Sequence, residues 1–304
     1  MAEYHGQIQL SLAGFYDIKT DAGEMFRARA RGNFRKKDVK PLVGDFVVFS
    51  ATQADDGYIL SIDDRRNSLV RPPVSNVDQA IVVTSVEIPE YSSNLLDRQL
   101  VALEERQIEP VIYFSKTDLI SSESREYLLQ VAKGYQQAGY QVIFPEVSFD
   151  DASLDEIRAL LPDKLTVFMG QTGAGKSTLL NHLVPDLDLA TGVVSETLMR
   201  GKHTTRQVGL IEMYGGLVAD TPGFSAFEVF DMEANQLTHY FREFNRYSPE
   251  CKYRGCVHLK EPGCAVKPAV EMGEIMASRY ENYKMFYDLI EGRRPVYNKH
   301  DKKH

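Results

Sequence analysis

The run Gly170-Gln171-Thr172-Gly173-Ala174-Gly175-Lys176-Ser177 satisfies the pattern G-x-x-x-x-G-K-S. Such a loop binds nucleotide phosphates. Its glycines let backbone N–H groups approach the oxygens, and a following helix adds the positive end of its dipole. Lys176 is placed to reach the β and γ phosphates and Ser177 to hold Mg²⁺, with Thr178 next in the helix. The context fits, because apolar KLTVFMG precedes the loop and STLLNHL follows it. Downstream, Asp220-Thr221-Pro222-Gly223 follows apolar GLVA. An Asp there sits near Mg²⁺, and the Gly N–H senses a γ-phosphate.

Between these motifs, GKHTTRQ supplies Thr204 and Thr205, either of which could close over Mg²⁺ and the γ-phosphate. In Ras-like enzymes a Gln after D-x-x-G orients the attacking water. Phe224 holds that place and cannot do so, which leaves His203 as the nearest candidate and predicts slow unaided hydrolysis.

A base must also be read. Guanine presents N1–H and a 2-amino group, and one carboxylate accepts from both; adenine offers no such pair. Ser115-Lys116-Thr117-Asp118 follows the apolar run VIYF and leads to a helical stretch, so Asp118 falls at a strand tip with the Lys116 stem beside the base. Asn298-Lys299-His300-Asp301 matches the usual N-K-x-D letters better, but no strand precedes it and three residues remain. It reads as a solvated basic tail. One strand beyond Asp118, PEVSFDD offers Ser148 on the ribose side. The base reader therefore precedes the phosphate loop, which is the order of a circularly permuted GTPase. A phosphate-loop kinase or ATPase would not need Asp118, and a plain RNA-binding module would ignore nucleotide.

The three cysteines crowd into Cys251-x4-Cys256-x-His258-x5-Cys264. Three sulfurs and one imidazole complete a tetrahedral Zn²⁺ shell with no open position, as in structural sites. Such crowding suggests metal rather than disulfides, and a reducing, cytoplasmic setting.

Three groups of elements must carry these residues. Over 1–70 the runs GFYDI, EMFRARAR, DFVVFS and YILSI read as short strands, predicting an all-β barrel of the OB-fold kind. In MFRARAR the period is two, so Arg27, Arg29 and Arg31 share a face, and Arg35, Lys36 and Lys37 follow. Such a row repels itself unless an anion neutralises it. It is either a solvated face or, the favoured reading, a groove for RNA. Over 71–228 strands and helices alternate, predicting a parallel sheet covered by helices. Residues 229–304 are strand-poor and end in a helical pattern around the cysteine cluster. Across 304 residues there is no run of about 18 apolar positions to span a membrane. The N-terminal MAEYHGQIQL lacks a secretory pattern. The formal net charge of −8 means that a polyanion must be met by a local basic patch.

Several stretches together resemble the ribosome small-subunit-dependent GTPase A family: RGNFRKKDVKPLVGDFVVF, LVRPPVSNVDQAIVV, GQTGAGKSTLLNHL, GKHTTR, ADTPGFSAF and CKYRGCVHLKEPGC. The resemblance runs from the barrel through the cysteine cluster. It implies an OB-fold, a permuted GTPase domain and a zinc domain. It also implies GTP and GDP as ligands, with the 30S subunit and its 16S rRNA as partners. The chain would act as a monomer in late 30S maturation, and the subunit would stimulate hydrolysis. The same resemblance points to His203 as catalytic. Two positions depart from the family pattern. Ser115 stands where Asn or Thr is usual, which puts one supporting hydrogen bond in question, and Ser148-Phe149 replaces Ser-Ala.

Overall fold

The computed structural model describes residues 2–31, 34, 39–70, 72–184, 208–220, 230 and 232–293, with Asp220 described by its backbone alone. The chain forms two compact units. The first comprises Met1–Tyr91, Leu103–Ala132 and Tyr140–Ala226; the second comprises Ser92–Ala102, Lys133–Gly139 and Phe227–His304.

The first unit begins with β1 (Ala2–Leu12), β2 (Phe15–Thr20), β3 (Met25–Ala30), β4 (Phe46–Ala51) and β5 (Gly57–Ile62). Their order is β1-β2-β3-β5-β4, and β4 pairs back onto β1, so the sheet closes. The β3–β5 pair is parallel. This is the expected OB-like barrel. Alternate residues fill it: Ile8, Ile18, Val47, Phe49 and Ile59 are fully buried. β1 is absent from the strands read in the sequence, although it pairs with both β2 and β4. Its polar alternates and Gly6 weaken its strand signature.

A short ribbon of β6 (Ser68–Leu69) and β7 (Val74–Ser75) leads to the second layer. There follow β8 (Gln79–Ser85), α1 (Ser93–Glu105), β9 (Glu109–Ser115), α2 (Ser122–Ala138) and β10 (Gln141–Ile143). After them come α3 (Asp151–Leu160), β11 (Leu165–Met169), α4 (Lys176–Leu183), β12 (Val208–Met213) and β13 (Gly216–Asp220). The spatial order is β10-β9-β8-β11-β13-β12. All neighbours are parallel except β12, which runs antiparallel to β13. Every residue of β11 and nearly every residue of β8 is buried, the signature of a parallel sheet covered on both faces. β12 also pairs antiparallel with β1, joining barrel and α/β layer into one eleven-stranded sheet.

The second unit is helical. It holds most of α1 and the end of α2, together with α5 (Phe244–Tyr247), α6 (Val266–Glu271) and α7 (Ala277–Glu291) and 3-10 turns at Ala234–Tyr240 and Ser248–Glu250. Phe230, Leu237, Phe241, Phe244, Tyr283 and Phe286 form its core. Arg279 is buried among them. Its guanidinium donates to Asp97 at 2.6 Å and to Glu243 Oε2 at 2.9 Å. Asn282 and the Tyr135 hydroxyl also donate to Asp97, at 2.7 and 2.9 Å. Burial pushes the Asp97 carboxyl upward, and Arg279 opposes that push.

Candidate nucleotide site and metal centre

Parallel strands deliver the nucleotide-site residues to one edge of the sheet. β9 ends at Ser115, β11 at Met169 and β13 at Asp220, so the base-reading sequence, phosphate loop and D-x-x-G sequence all leave carboxyl ends. Ligands of open α/β sheets bind at that edge.

In the phosphate loop, Gly170 has φ +144°, and a β-carbon there would stand 2.1 Å from the Val83 carbonyl oxygen. Only glycine fits. Gly175 starts α4 from the left-handed region, at φ +94°. Lys176 folds back over the loop, its Nζ donating to the carbonyls of Gly170 at 2.5 Å and Gln171 at 3.0 Å. Burial holds this ammonium below the usual lysine value. A bound phosphate would reverse that effect. Ser177 and Thr178 are exposed at the helix start.

Asp118 stands exposed beyond β9, as the sequence requires of a base reader. Hydrogen bonding by Ser148 holds its carboxyl below the usual range, so it is ionised at neutral pH. The Ser148 N–H lies 3.4 Å from Asp118 Oδ1, and its hydroxyl accepts from Thr117 N–H at 2.9 Å. Lys116, at φ +62°, donates to the Ile88 carbonyl. Ser115 is buried, and its hydroxyl donates to the Ala174 carbonyl at 2.6 Å. The short side chain thus makes a hydrogen bond that ties the Ser115–Asp118 segment directly to the phosphate loop.

Arg125, Tyr113 and His182 shape this site without having stood out in the sequence, and Phe149, already noted there, joins them. Arg125 on α2 donates to the Thr117 and Glu146 carbonyls, at 3.2 and 3.0 Å, clamping the two base-side loops together. The buried Tyr113 hydroxyl accepts from Phe149 N–H at 3.0 Å. The Phe149 ring stacks on His182 of α4, centroids 5.0 Å apart. Nothing in the local sequence of Arg125, Tyr113 or His182 distinguishes them, because their roles rest on contacts between separate segments.

His203, Thr204, Thr205, Gly223, Arg35, Lys36, Lys37 and the NKHD tail lie outside the described residues, as does the Asp220 side chain. On the barrel, Arg27 and Arg29 project from one face of β3, and Arg31 is exposed just beyond it. Part of their mutual repulsion is relieved within the fold. Asp17 takes Arg27 bidentately at 2.7 and 2.9 Å, and Arg29 lies over the Phe15 ring at 4.3 Å. A separate cavity of about 740 Å³ lies where β11, β12 and the barrel meet. Ion pairs Lys19–Glu212 and Arg66–Asp78 occupy its walls, and it contains none of the nucleotide-site residues.

The cysteine cluster closes in the second unit. One ligand atom from each of Cys251, Cys256, His258 and Cys264 lies within 4.8 Å of the others. His258 Nδ1 faces the sulfurs, 3.6 Å from Cys251 and 3.4 Å from Cys264. Ser248 Oγ holds its Nε2 at 3.1 Å, which leaves Nδ1 as the ligating nitrogen. Burial pushes the Cys256 thiol up to about 12 and lowers His258, so Cys256 would ligate as thiolate only with a cation beside it. The donor set and its enclosure fit a tetrahedral metal ion.

A phosphate loop on a parallel sheet, tied through Ser115 to an S-K-T-D segment that precedes it in the chain, defines a circularly permuted GTPase. The family model for the RsgA GTPase matches residues 62–230, and that for the RsgA N-terminal domain matches residues 5–59. A small ribosomal subunit biogenesis GTPase RsgA 1 from Lactiplantibacillus plantarum is 58% identical over 294 residues, 97% of this chain and 98% of that one. The RsgA of Enterococcus faecalis is 53% identical, with 98% and 99% covered. Two solved structures are similar. YloQ, described as a circularly permuted GTPase, has a TM-score of 0.81 at 41% identity, covering 97% and 98% of the two chains. YjeQ from Thermotoga maritima scores 0.83 at 33%, covering 96% and 100%. The chain belongs to the RsgA GTPase family.

Proposed function

We propose that this chain hydrolyses GTP on the small ribosomal subunit during its late maturation and releases GDP afterwards. The observation that carries the reading is the tie from base reader to phosphate loop, Ser115 Oγ to the Ala174 carbonyl at 2.6 Å. It joins a carboxylate suited to guanine with a loop suited to phosphates.

In this reading Asp118 accepts guanine N1–H and the 2-amino group, and Lys116 covers the ring. Loop amides from Gly170 to Ser177 take the phosphate oxygens. Lys176 exchanges its two carbonyl partners for the β and γ phosphates. Ser177 and Asp220 would hold Mg²⁺, which neutralises charge on the transferring phosphoryl group. Thr204 or Thr205 closes from the first switch, Gly223 N–H meets the γ-phosphate, and His203 orients the water. The bound metal of the second unit is Zn²⁺ in a structural role, supported by three sulfurs and one imidazole with no open position. Arg27, Arg29 and Arg31, with Arg35, Lys36 and Lys37, engage 16S rRNA from the barrel. Functional divisions fall at 1–70, 71–228 and 229–304. The protein works as a cytoplasmic monomer; no described helix is long and apolar enough to cross a membrane.

Purified protein should hydrolyse GTP slowly alone and faster with 30S particles, by up to about 10³ to 10⁵ if the particle completes the site. Stimulation by 50S particles should be weak. The His203→Ala variant should bind GTP normally and lose most of the stimulated rate. Neutralising the six basic barrel residues should weaken rRNA binding and flatten its salt dependence. Equal stimulation by both particles, or by neither, would remove the ribosomal assignment and leave the GTPase.

A further inference from the structure

We propose that Phe149 is a positioning residue for nucleotide binding: its ring fills the seam that the short Ser115 side chain leaves between base-reading loop and phosphate loop.

The geometry at this seam is specific. Phe149 has φ +65°, a conformation costly for an aromatic residue unless its surroundings hold it there. Its N–H is held by Tyr113 Oη at 3.0 Å. The ring stacks on two partners, Tyr113 at 6.1 Å and 11° and His182 at 5.0 Å and 23°. A β-carbon on Gly175 would stand 3.4 Å from Phe149 Cζ and 3.8 Å from Ser115 Oγ. Ring edge, serine hydroxyl and last loop glycine thus converge on one point.

Two physical consequences follow. A serine hydroxyl reaches the Ala174 carbonyl only while the phosphate loop stays close to β9. The ring, braced by His182 of α4, keeps base loop and phosphate-loop helix in contact beside that bond. Phe149 is also chain neighbour to Ser148, which supports Thr117 and Asp118. Displacing the ring therefore moves the guanine carboxylate's support and the phosphate loop together. Ring and hydroxyl both border the position of a Gly175 β-carbon, so in this proposal a longer residue at 115 competes with the ring for volume.

The inference rests on the nucleotide reading, and the experiment separates the two. Release of fluorescent GDP is followed by stopped flow, beside thermal melting of the nucleotide-free protein. Phe149→Ala should speed release about tenfold, about 1.4 kcal/mol of lost ground-state binding. Ser115→Asn alone should also speed release, by crowding the ring. The double variant should release more slowly than Phe149→Ala alone, because the longer amide fills the vacated space and still reaches Ala174. A Phe149→Ala rate within twofold of the natural protein overturns the proposal, as does a double variant whose two effects simply multiply. If Phe149→Ala does not fold, His182→Ala decides. Severalfold faster release at unchanged melting supports the brace, and unchanged release overturns it. Failure of the natural protein to bind GDP would instead sink the nucleotide reading.

Discussion

Replacing Asp118 by asparagine tests guanine selection most directly. The carboxylate is exposed beyond β9, supported by Ser148 and held below the usual carboxylate range. It can accept from guanine N1–H and the 2-amino group together. An amide keeps one acceptor but turns an N–H toward one of those donors. Two hydrogen bonds to a charged group, at about 1.5–3 kcal/mol each, set an upper range of about 3–6 kcal/mol. Solvent around an exposed carboxylate favours the lower part of that range. Asp118→Asn should therefore cost guanine nucleotides about 10² to 10³ in affinity. Xanthine carries a carbonyl where guanine has the 2-amino group, which suits the amide N–H. Affinity for XDP should rise as affinity for GDP falls. The depressed pKa adds a pH signature. Binding needs the charged form, so it should hold at mildly acidic pH and fail only as pH drops through that lowered value. Equilibrium titration with fluorescent GDP, competed by XDP and ADP, measures all of this. If Asp118→Asn keeps its GDP affinity within threefold, or if Asp301→Asn loses it, the guanine reader is not at the tip of β9.

The remaining expectations concern the other parts of the molecule. Freshly purified protein should carry about one Zn²⁺ per chain by elemental analysis; Cys256→Ser or a strong chelator should loosen the second unit while GDP binding persists. Arg279→Met should leave Asp97 and Glu243 buried without their cation and destabilise the second unit by about 3–5 kcal/mol, read by denaturant unfolding. His5 lies between Asp21 at 2.9 Å and Asp63 at 3.0 Å, and these hydrogen bonds raise its pKa. Its stabilising contribution should be full below the ordinary histidine value and vanish as pH rises through the raised one. The site is exposed, so the change should stay small, and His5→Gln should abolish it in pH-dependent melting curves.

The parts legible in the sequence are those whose chemistry is local. The phosphate loop needs eight adjacent residues between a strand and a helix, and Asp118 needs only the strand before it. Their order then forces the permuted reading, and the sheet order β10-β9-β8-β11-β13-β12 agrees with it. The cysteine cluster is local as well, spanning Cys251 to Cys264. What stayed hidden depends on register or on loops meeting in space. The sequence leaves the arginine row as a solvated face or an RNA groove and does not show that β2 and β3 pair so that Asp17 lies opposite Arg27. That register follows from strand pairing, which the letters of MFRARAR do not contain. The Asp97–Arg279 pair brings together residues 182 positions apart, beyond any local pattern. Ser115 is the clearest case. Read as a letter, it weakens the motif, because serine is shorter than asparagine. Read in place, its hydroxyl reaches Ala174 beside Gly175, which has no side chain to hold the loop away, and the Phe149 ring edge borders the same point. A motif residue is thus defined by the distance it must span, and that distance is set by neighbours that no motif includes.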